Sequence, residues 1–212
     1  MPHVVPPVYF LTAPGREEIL ARTLARWAQC GWSGEPVIHV DPTPRTYASN
    51  GRAVPPMVRM LAAYRTLLAR ALEETTAPHF LLLEDDIAFA TGFAEKIAAW
   101  EPLARGWVTG FASFFNPGVR LASHGAASSG ADYFLAHRRS VLGSQALLLA
   151  RDFAAIARDE WDTLDGFASM RLAALAARLH RPIYYHRPSL VEHASQVSAW
   201  GGHLRRAVDF AG

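Results

Sequence analysis

Glu84, Asp85 and Asp86 end the apolar run "HFLLLEDD" (79–86), placing three adjacent carboxylates where a buried strand stops. Neighbouring negative charges repel, and holding them at the edge of a core is costly unless a cation or hydrogen-bond donors neutralise them. A divalent ion does so with few residues: Mg²⁺ or Mn²⁺ takes one or two protein carboxylates and completes its shell with water and substrate phosphates. Alternation along an extended chain sends Glu84 and Asp86 to one side and Asp85 to the other, so only part of the trio meets a common ligand. A solvated loop with an acid capping a helix near Thr91 is the other reading of the same residues.

The elements that must position these carboxylates alternate in type. "VVPPVYFLT" is extended and apolar, whereas "GREEILARTLARWAQCGW" sets Ile19, Leu20, Leu24, Trp27 and Ala28 at helical spacing behind acidic first-turn residues. "PVIHVD" is a second strand, a helix is expected over 56–74, "HFLLLED" is the third strand, and another helix follows at about 92–101. This β-α-β-α-β order, with continuous apolar strands, implies a parallel sheet covered on both faces. Beyond it, "WVTGFASFF", "ADYFL", "SQALLLA" and "PIYYHRPSLVEH" are expected strands, with helices at 151–159 and in "DGFASMRLAALAARLH". In an open α/β sheet, ligands collect outside the carboxyl ends of the strands, which is where the acidic trio falls.

Bulk properties narrow the classes. At 212 residues and 50% hydrophobic, the chain suits one core, and 21 basic against 19 acidic residues lack the imbalance of a dedicated nucleic-acid binder. Cys30 stands alone, so intrachain disulfides and cysteine zinc sites are excluded and a cytoplasmic setting is the expectation. The start "MPHVVPPVYFLT" has no basic lead and reads as a strand, and no apolar stretch is long enough to span a bilayer. G-x-x-x-x-G-K, G-x-G-x-x-G, G-x-S-x-G and H-E-x-x-H are all missing.

"LLLEDDIAF" resembles the modified Asp-X-Asp motif of nucleotide-sugar glycosyltransferases of the GT-A fold, in the "LEDD" form of bacterial lipopolysaccharide-type enzymes. "LGSQALLLARD" (142–152) is similar to a downstream strand of that family, with Ser144 and Gln145 replacing a Thr-His pair, and "RPSLVEHASQVSAW" (187–200) resembles its "PSLVQH" ending. The resemblance implies a single GT-A-like α/β domain with a mixed, mainly parallel sheet flanked by helices. Its nucleotide-binding half would be about 1–90, its acceptor-side half about 91–200, and 201–212 a flexible tail. It also implies a Mn²⁺ or Mg²⁺ cofactor and a nucleotide-sugar donor, UDP-sugar foremost, with a glycan or small-molecule acceptor; modified DNA is a further candidate.

By the same resemblance, Asp86 is a direct metal ligand and His193 a second, while Glu84 and Asp85 contact ribose, sugar or metal-bound water. Thr12, Ala13 and Arg16 would line the nucleotide pocket and Asp41 would reach ribose or base, although Asp41 before Pro42 also suits a turn and Arg16 an exposed first turn. In an inverting reaction Asp165 is the expected general base; Asp162 and Asp165 are equally candidates to cap the following helix. Phe111, Phe114, Phe115 and Tyr133 are either core or an acceptor wall, "HRR" (137–139) and Arg205 with Arg206 either phosphate contacts or a solvated face, and Trp200 to His203 a closing flap. The competing readings are a metal-dependent nucleotidyltransferase or phosphohydrolase, which would use Asp85 and Asp86 alike, and a nucleotide-sugar-binding protein without activity.

Overall fold

Strands that are apolar on both sides require cover on both faces, and the fold supplies it. The computed structural model describes residues 5–49, 51–119, 131–194 and 205–210. Its strands are β1 (Val8–Thr12), β2 (Val37–Val40), β3 (His79–Glu84), β4 (Ile87–Phe89), β5 (Phe111–Ser113), β6 (Tyr133–Leu135), β7 (Ala146–Ala150), β8 (Ile183–His186) and β9 (Val191–His193). The helices are α1 (Glu17–Trp27), α2 (Pro56–Glu74), α3 (Phe93–Ala99), α4 (Glu101–Ala104), α5 (Arg151–Asp159) and α6 (Ala168–Arg178). Among these described residues, no helix is long and apolar enough to cross a membrane.

A seven-stranded sheet runs in the order β2-β1-β3-β7-β5-β8-β6. β1 is parallel to β2 and β3, and β5 to β8, while β7 runs against both β3 and β5 and β6 against β8. The sheet is therefore mixed but mainly parallel, and the fully parallel arrangement suggested by the first five elements ends at β7. Side-chain alternation sorts the two cores. Tyr9, Leu11, Leu82, Leu147 and Leu149 face α2, α5 and α6, whereas Val8, Phe10, Leu83 and Leu148 face α1 and α3.

Several local expectations change for identifiable reasons. The third strand stops at Glu84, turns through Asp85 and Asp86, and returns as β4, which pairs with β9 in a separate two-stranded sheet. "PIYYHRPSLVEH" is accordingly split between two sheets. The helix expected at 92–101 divides into α3 and α4 at Trp100, which is extended and followed by Pro102 within the first turn of α4. Phe111, Phe114 and Phe115 are fully buried core residues and form no acceptor wall; Tyr133 packs edge-on to Trp107 and Tyr184. The Gly- and Ser-rich loop and the expected flap at Trp200 to His203 lie outside the described residues. Residues 205–210 fold back: the Val208 amide donates to the Asn116 carbonyl at 3.0 Å, and Ala207 and Phe210 pack on the core.

Leu148 sits at the middle of β7, between β3 and β5, and is completely buried. Leu148→Ala should cost roughly 2–5 kcal/mol of stability, read as a lower denaturant midpoint with an unchanged slope. A midpoint within error of the wild type would mean that β7 does not hold the centre of the sheet.

Candidate functional site

The turn at Asp85 and Asp86 exists because the apolar run ends there, and four elements close around it. Asp85 points toward α1. Its carboxylate accepts a fork from Arg16, Nη2 to Oδ1 at 2.7 Å and Nε to Oδ2 at 2.8 Å, and a further bond from the Thr12 hydroxyl. Arg16 is therefore buried in an ion pair, not an exposed first-turn residue, and its Nη2 also reaches Asp86 Oδ2 at 3.0 Å. Burial opposes the Arg16 charge, but the bonds to Asp85 and Asp86 outweigh it and raise its pKa. Thr23 of α1 donates to the Asp85 carbonyl at 2.7 Å and so pins the turn to the helix.

Glu84 faces the opposite side of the chain, as alternation requires. Its Oε1 accepts from the Tyr64 hydroxyl of α2 at 2.9 Å and from the Ser144 hydroxyl at 2.7 Å, while Gln145 Nε2 lies 3.5 Å from Oε2. Burial first, then the Glu84 charge, raises the Tyr64 phenol well above its usual value, so it remains a donor. Because β7 is antiparallel to β3, the residues just before it return to the carboxyl end of β3, and the Glu84 amide donates to the Gln145 carbonyl.

β9 brings the third participant. Pairing of Ile87 with His193, and donation from the Ala194 amide to the Asp86 carbonyl at 2.7 Å, set the His193 ring beside the turn. His193 Nδ1 lies 2.7 Å from the Arg205 carbonyl, an acceptor only, so Nδ1 carries the proton and Nε2 presents its lone pair. Nε2 is 3.9 Å from Asp86 Oδ1 and 4.0 Å from Glu84 Oε2. Those separations exceed a direct hydrogen bond. They suit ligands spread around one ion whose ligand distances are about 2.1 Å.

Electrostatics single out Asp86. Its Oδ1 is buried without a partner, as is Gln145 Oε1 nearby. Burial, then the Glu84 charge, push the Asp86 carboxyl up to about 6, against the opposing pull of His193 and Arg16. One atom each from Glu84, Asp86 and His193 lies within 4.8 Å of the others, all three residues being buried. Two carboxylates and an imidazole are a ligand set for Mn²⁺ or a related divalent ion.

The remaining expected residues divide. Thr12 ends β1 and Ala13 follows it at the same sheet edge, and the Asp41 amide donates to the Thr12 carbonyl at 2.8 Å. Asp41 does form the turn, accepting from the Thr43 amide at 2.9 Å through Oδ1, while its buried Oδ2 has no partner. Asp165 does not touch the Glu84, Asp86 and His193 group; it is exposed in a hollow with Arg138, Leu142 and Met170. Neither Asp162 nor Asp165 caps α6. Gly166, at φ 92°, turns the chain so that Phe167 precedes the helix, and Asp162 pairs with Arg65 at 2.5 Å. Sequence reasoning missed Tyr64 and Thr23 as site-forming residues; the one available signal was a phenol on the apolar face of α2, whose hydroxyl requires a partner.

No family model matches the chain, and no curated protein matches it in sequence. Among solved structures the chain is similar to a glycosyltransferase involved in the glycosylation of the major capsid of PBCV-1, at 12% identity and TM-score 0.54, over 92% of this chain and 95% of that one. At that identity the likeness establishes the fold, the GT-A-like α/β sheet expected above. A CMP:2-keto-3-deoxy-manno-octonic acid synthetase complexed with CTP aligns at 11% identity and TM-score 0.47, over 90% and 92% of the two chains, a level that carries no argument.

Asp86 retains a proton in the folded chain that the unfolded chain, near 3.8, has released. Folding therefore takes up protons between about pH 4 and 6, and this contribution to stability is full below that window and lost as pH rises through it. Asp86→Asn should thus become more stable than the wild type by up to roughly 3 kcal/mol on passing from pH 4 to 7 in chelator. Saturating Mn²⁺ should close that gap. Equal pH profiles for the two proteins in denaturant unfolding would contradict the raised carboxyl.

Proposed function

We propose that the chain is a metal-dependent glycosyltransferase that moves a sugar from a nucleotide-diphosphate donor, a UDP-sugar foremost, to an acceptor hydroxyl. The carrying observation is the buried, unpartnered Asp86 Oδ1 converging with Glu84 Oε2 and His193 Nε2 at the carboxyl end of a central strand. Thr12 and Asp41 on the same edge, with Asp41 Oδ2 lacking a partner, support a nucleotide lying across β1 and β2. The likeness in fold to a glycosyltransferase supports the same reading.

In this reading Asp86 and His193 would hold Mn²⁺ or Mg²⁺, with Glu84 as the third contact or the acceptor of a bond from a coordinated water. Bound there, the ion supplies Lewis-acid stabilisation of a departing diphosphate. The chain's own residues keep that corner in shape. Tyr64 and Ser144 hold one oxygen of Glu84 so that the other faces inward, and the Arg205 carbonyl fixes the tautomer of His193. Arg16 restrains Asp85 and one oxygen of Asp86, leaving the second oxygen of Asp86 open. Asp165 serves as general base on the acceptor hydroxyl; that residues 138–142, which wall its hollow, lead on to Ser144 and its bond to Glu84 supports this role.

Asp86→Ala should lower sugar-nucleotide turnover by orders of magnitude while the far-ultraviolet spectrum stays unchanged. Full, chelator-sensitive turnover in that variant would remove Asp86 from the site. Asp165→Asn should lose transfer with UDP affinity preserved in Mn²⁺ calorimetry; intact transfer with weakened UDP binding would refute its role as base.

A further inference from the structure

A groove runs the length of α6. The chain leaves β6 at Leu135 on the lower edge of the sheet, where β8 begins at Ile183, and climbs through residues 137–142 to Ser144 on the upper edge beside Glu84. α6 lies along this ascending segment, its last turn feeding β8 at the lower edge and its first turn therefore on the upper edge. Two hollows of ≈ 390 and ≈ 370 Å³ separate them. Both are lined by Arg138 and Ala177, so they adjoin along α6. The lower hollow carries His137, His180 and Arg181; the upper carries Arg139 and ends at Asp165.

Of the groove's arginines, Arg181 pairs with Asp152 at 2.8 Å, which leaves the charge of Arg138 and Arg139 uncompensated. Arg65, Arg70, Arg105, Arg158 and Arg178 on other surfaces each meet a carboxylate. Among the described residues Arg138 and Arg139, both exposed, meet none, and α6 lines the upper hollow with Ala173, Ala174 and Ala177 beside Met170. Two guanidiniums beside a wall of mostly small side chains favour carboxylate or phosphate groups spaced along an extended ligand. Met170 at 42% and Phe167 at 49% exposure stand at the upper end and offer apolar surface to the C–H face of a sugar ring. Two free arginines and a net charge of +2 are too few for a nucleic-acid backbone, which needs many phosphate contacts.

We infer that the groove between α6 and residues 137–142 binds an oligosaccharide bearing carboxylate or phosphate groups, held by Arg138 and Arg139 with its end directed to Asp165. This rests on the transferase reading and deepens it: the acceptor is an anionic glycan that enters from the lower edge of the sheet.

Calorimetry without donor or metal, at 150 mM salt, would compare tetragalacturonate, phosphorylated maltotetraose and neutral maltotetraose. At least one charged tetrasaccharide should bind about tenfold more tightly than the neutral one, and the double variant Arg138→Glu/Arg139→Glu should lose about tenfold or more of that affinity. Ala174→Trp, which fills the groove without changing charge, should cause the same loss. Equal affinity for charged and neutral probes, charged binding retained in either variant, or tighter binding of a twelve-nucleotide DNA strand would overturn the inference. UDP titration with Mn²⁺ separates the two readings. UDP binding without charged-probe binding sinks the groove alone, whereas charged-probe binding without UDP sinks the transferase reading and leaves a polyanion groove.

Discussion

Among the described residues three carboxylates share one buried corner with a single guanidinium, and the structure divides them by the partners available. Asp85 takes the Arg16 fork and the Thr12 hydroxyl; Glu84 takes neutral donors from Tyr64 and Ser144; Asp86 receives one arginine bond and keeps an oxygen open. Neutral donors satisfy lone pairs without cancelling charge, so the corner stays negative and the proton affinity of Asp86 rises. A group in that condition either holds a proton or meets a cation. The imidazole of His193 lies beside the same point, so a cation placed there would meet all three residues.

Holding that corner open depends on a small appended sheet. β4 and β9 contribute three residues each, yet their register sets His193 against Ile87 and carries the Asp86 carbonyl to the Ala194 amide. The segment 205–210 closes over them. Arg206 donates to the His193 carbonyl at 2.9 Å, Glu192 accepts from the Ala207 amide at 3.0 Å, and Ser189 bonds Asp209. The imidazole is thus gripped through its ring nitrogen, its backbone and the strand beside it, which lowers the entropic cost of orienting it for a ligand.

The reversal of β7 has a matching effect on the other side. A parallel strand next to β3 would have sent its leading residues to the far edge of the sheet. Run in the opposite sense, β7 returns Ser144 and Gln145 to Glu84 and forces the chain before it to climb past α6. One topological choice therefore both brings donors to Glu84 and sets residues 137–142 alongside α6.

Local physics was legible from the residues alone. The helices at 56–74 and 151–159 follow from apolar spacing and flanking breakers, the strand ends from the loss of apolar residues, and the opposed directions of Glu84 and Asp85 from the two-residue period of an extended chain. What the tertiary structure alone decided is which distant groups meet there: Tyr64, 20 residues from Glu84, Ser144, 60 residues away, and the Arg205 carbonyl, 12 residues beyond His193. It also decided that Asp165 starts no helix, since Gly166 moves the cap onward, and that the phenylalanines at 111, 114 and 115 are core. Periodicity reports which face of an element is buried, because burial acts on each side chain separately. Partnership depends on sheet order and register, which are set by the packing of the whole chain at once.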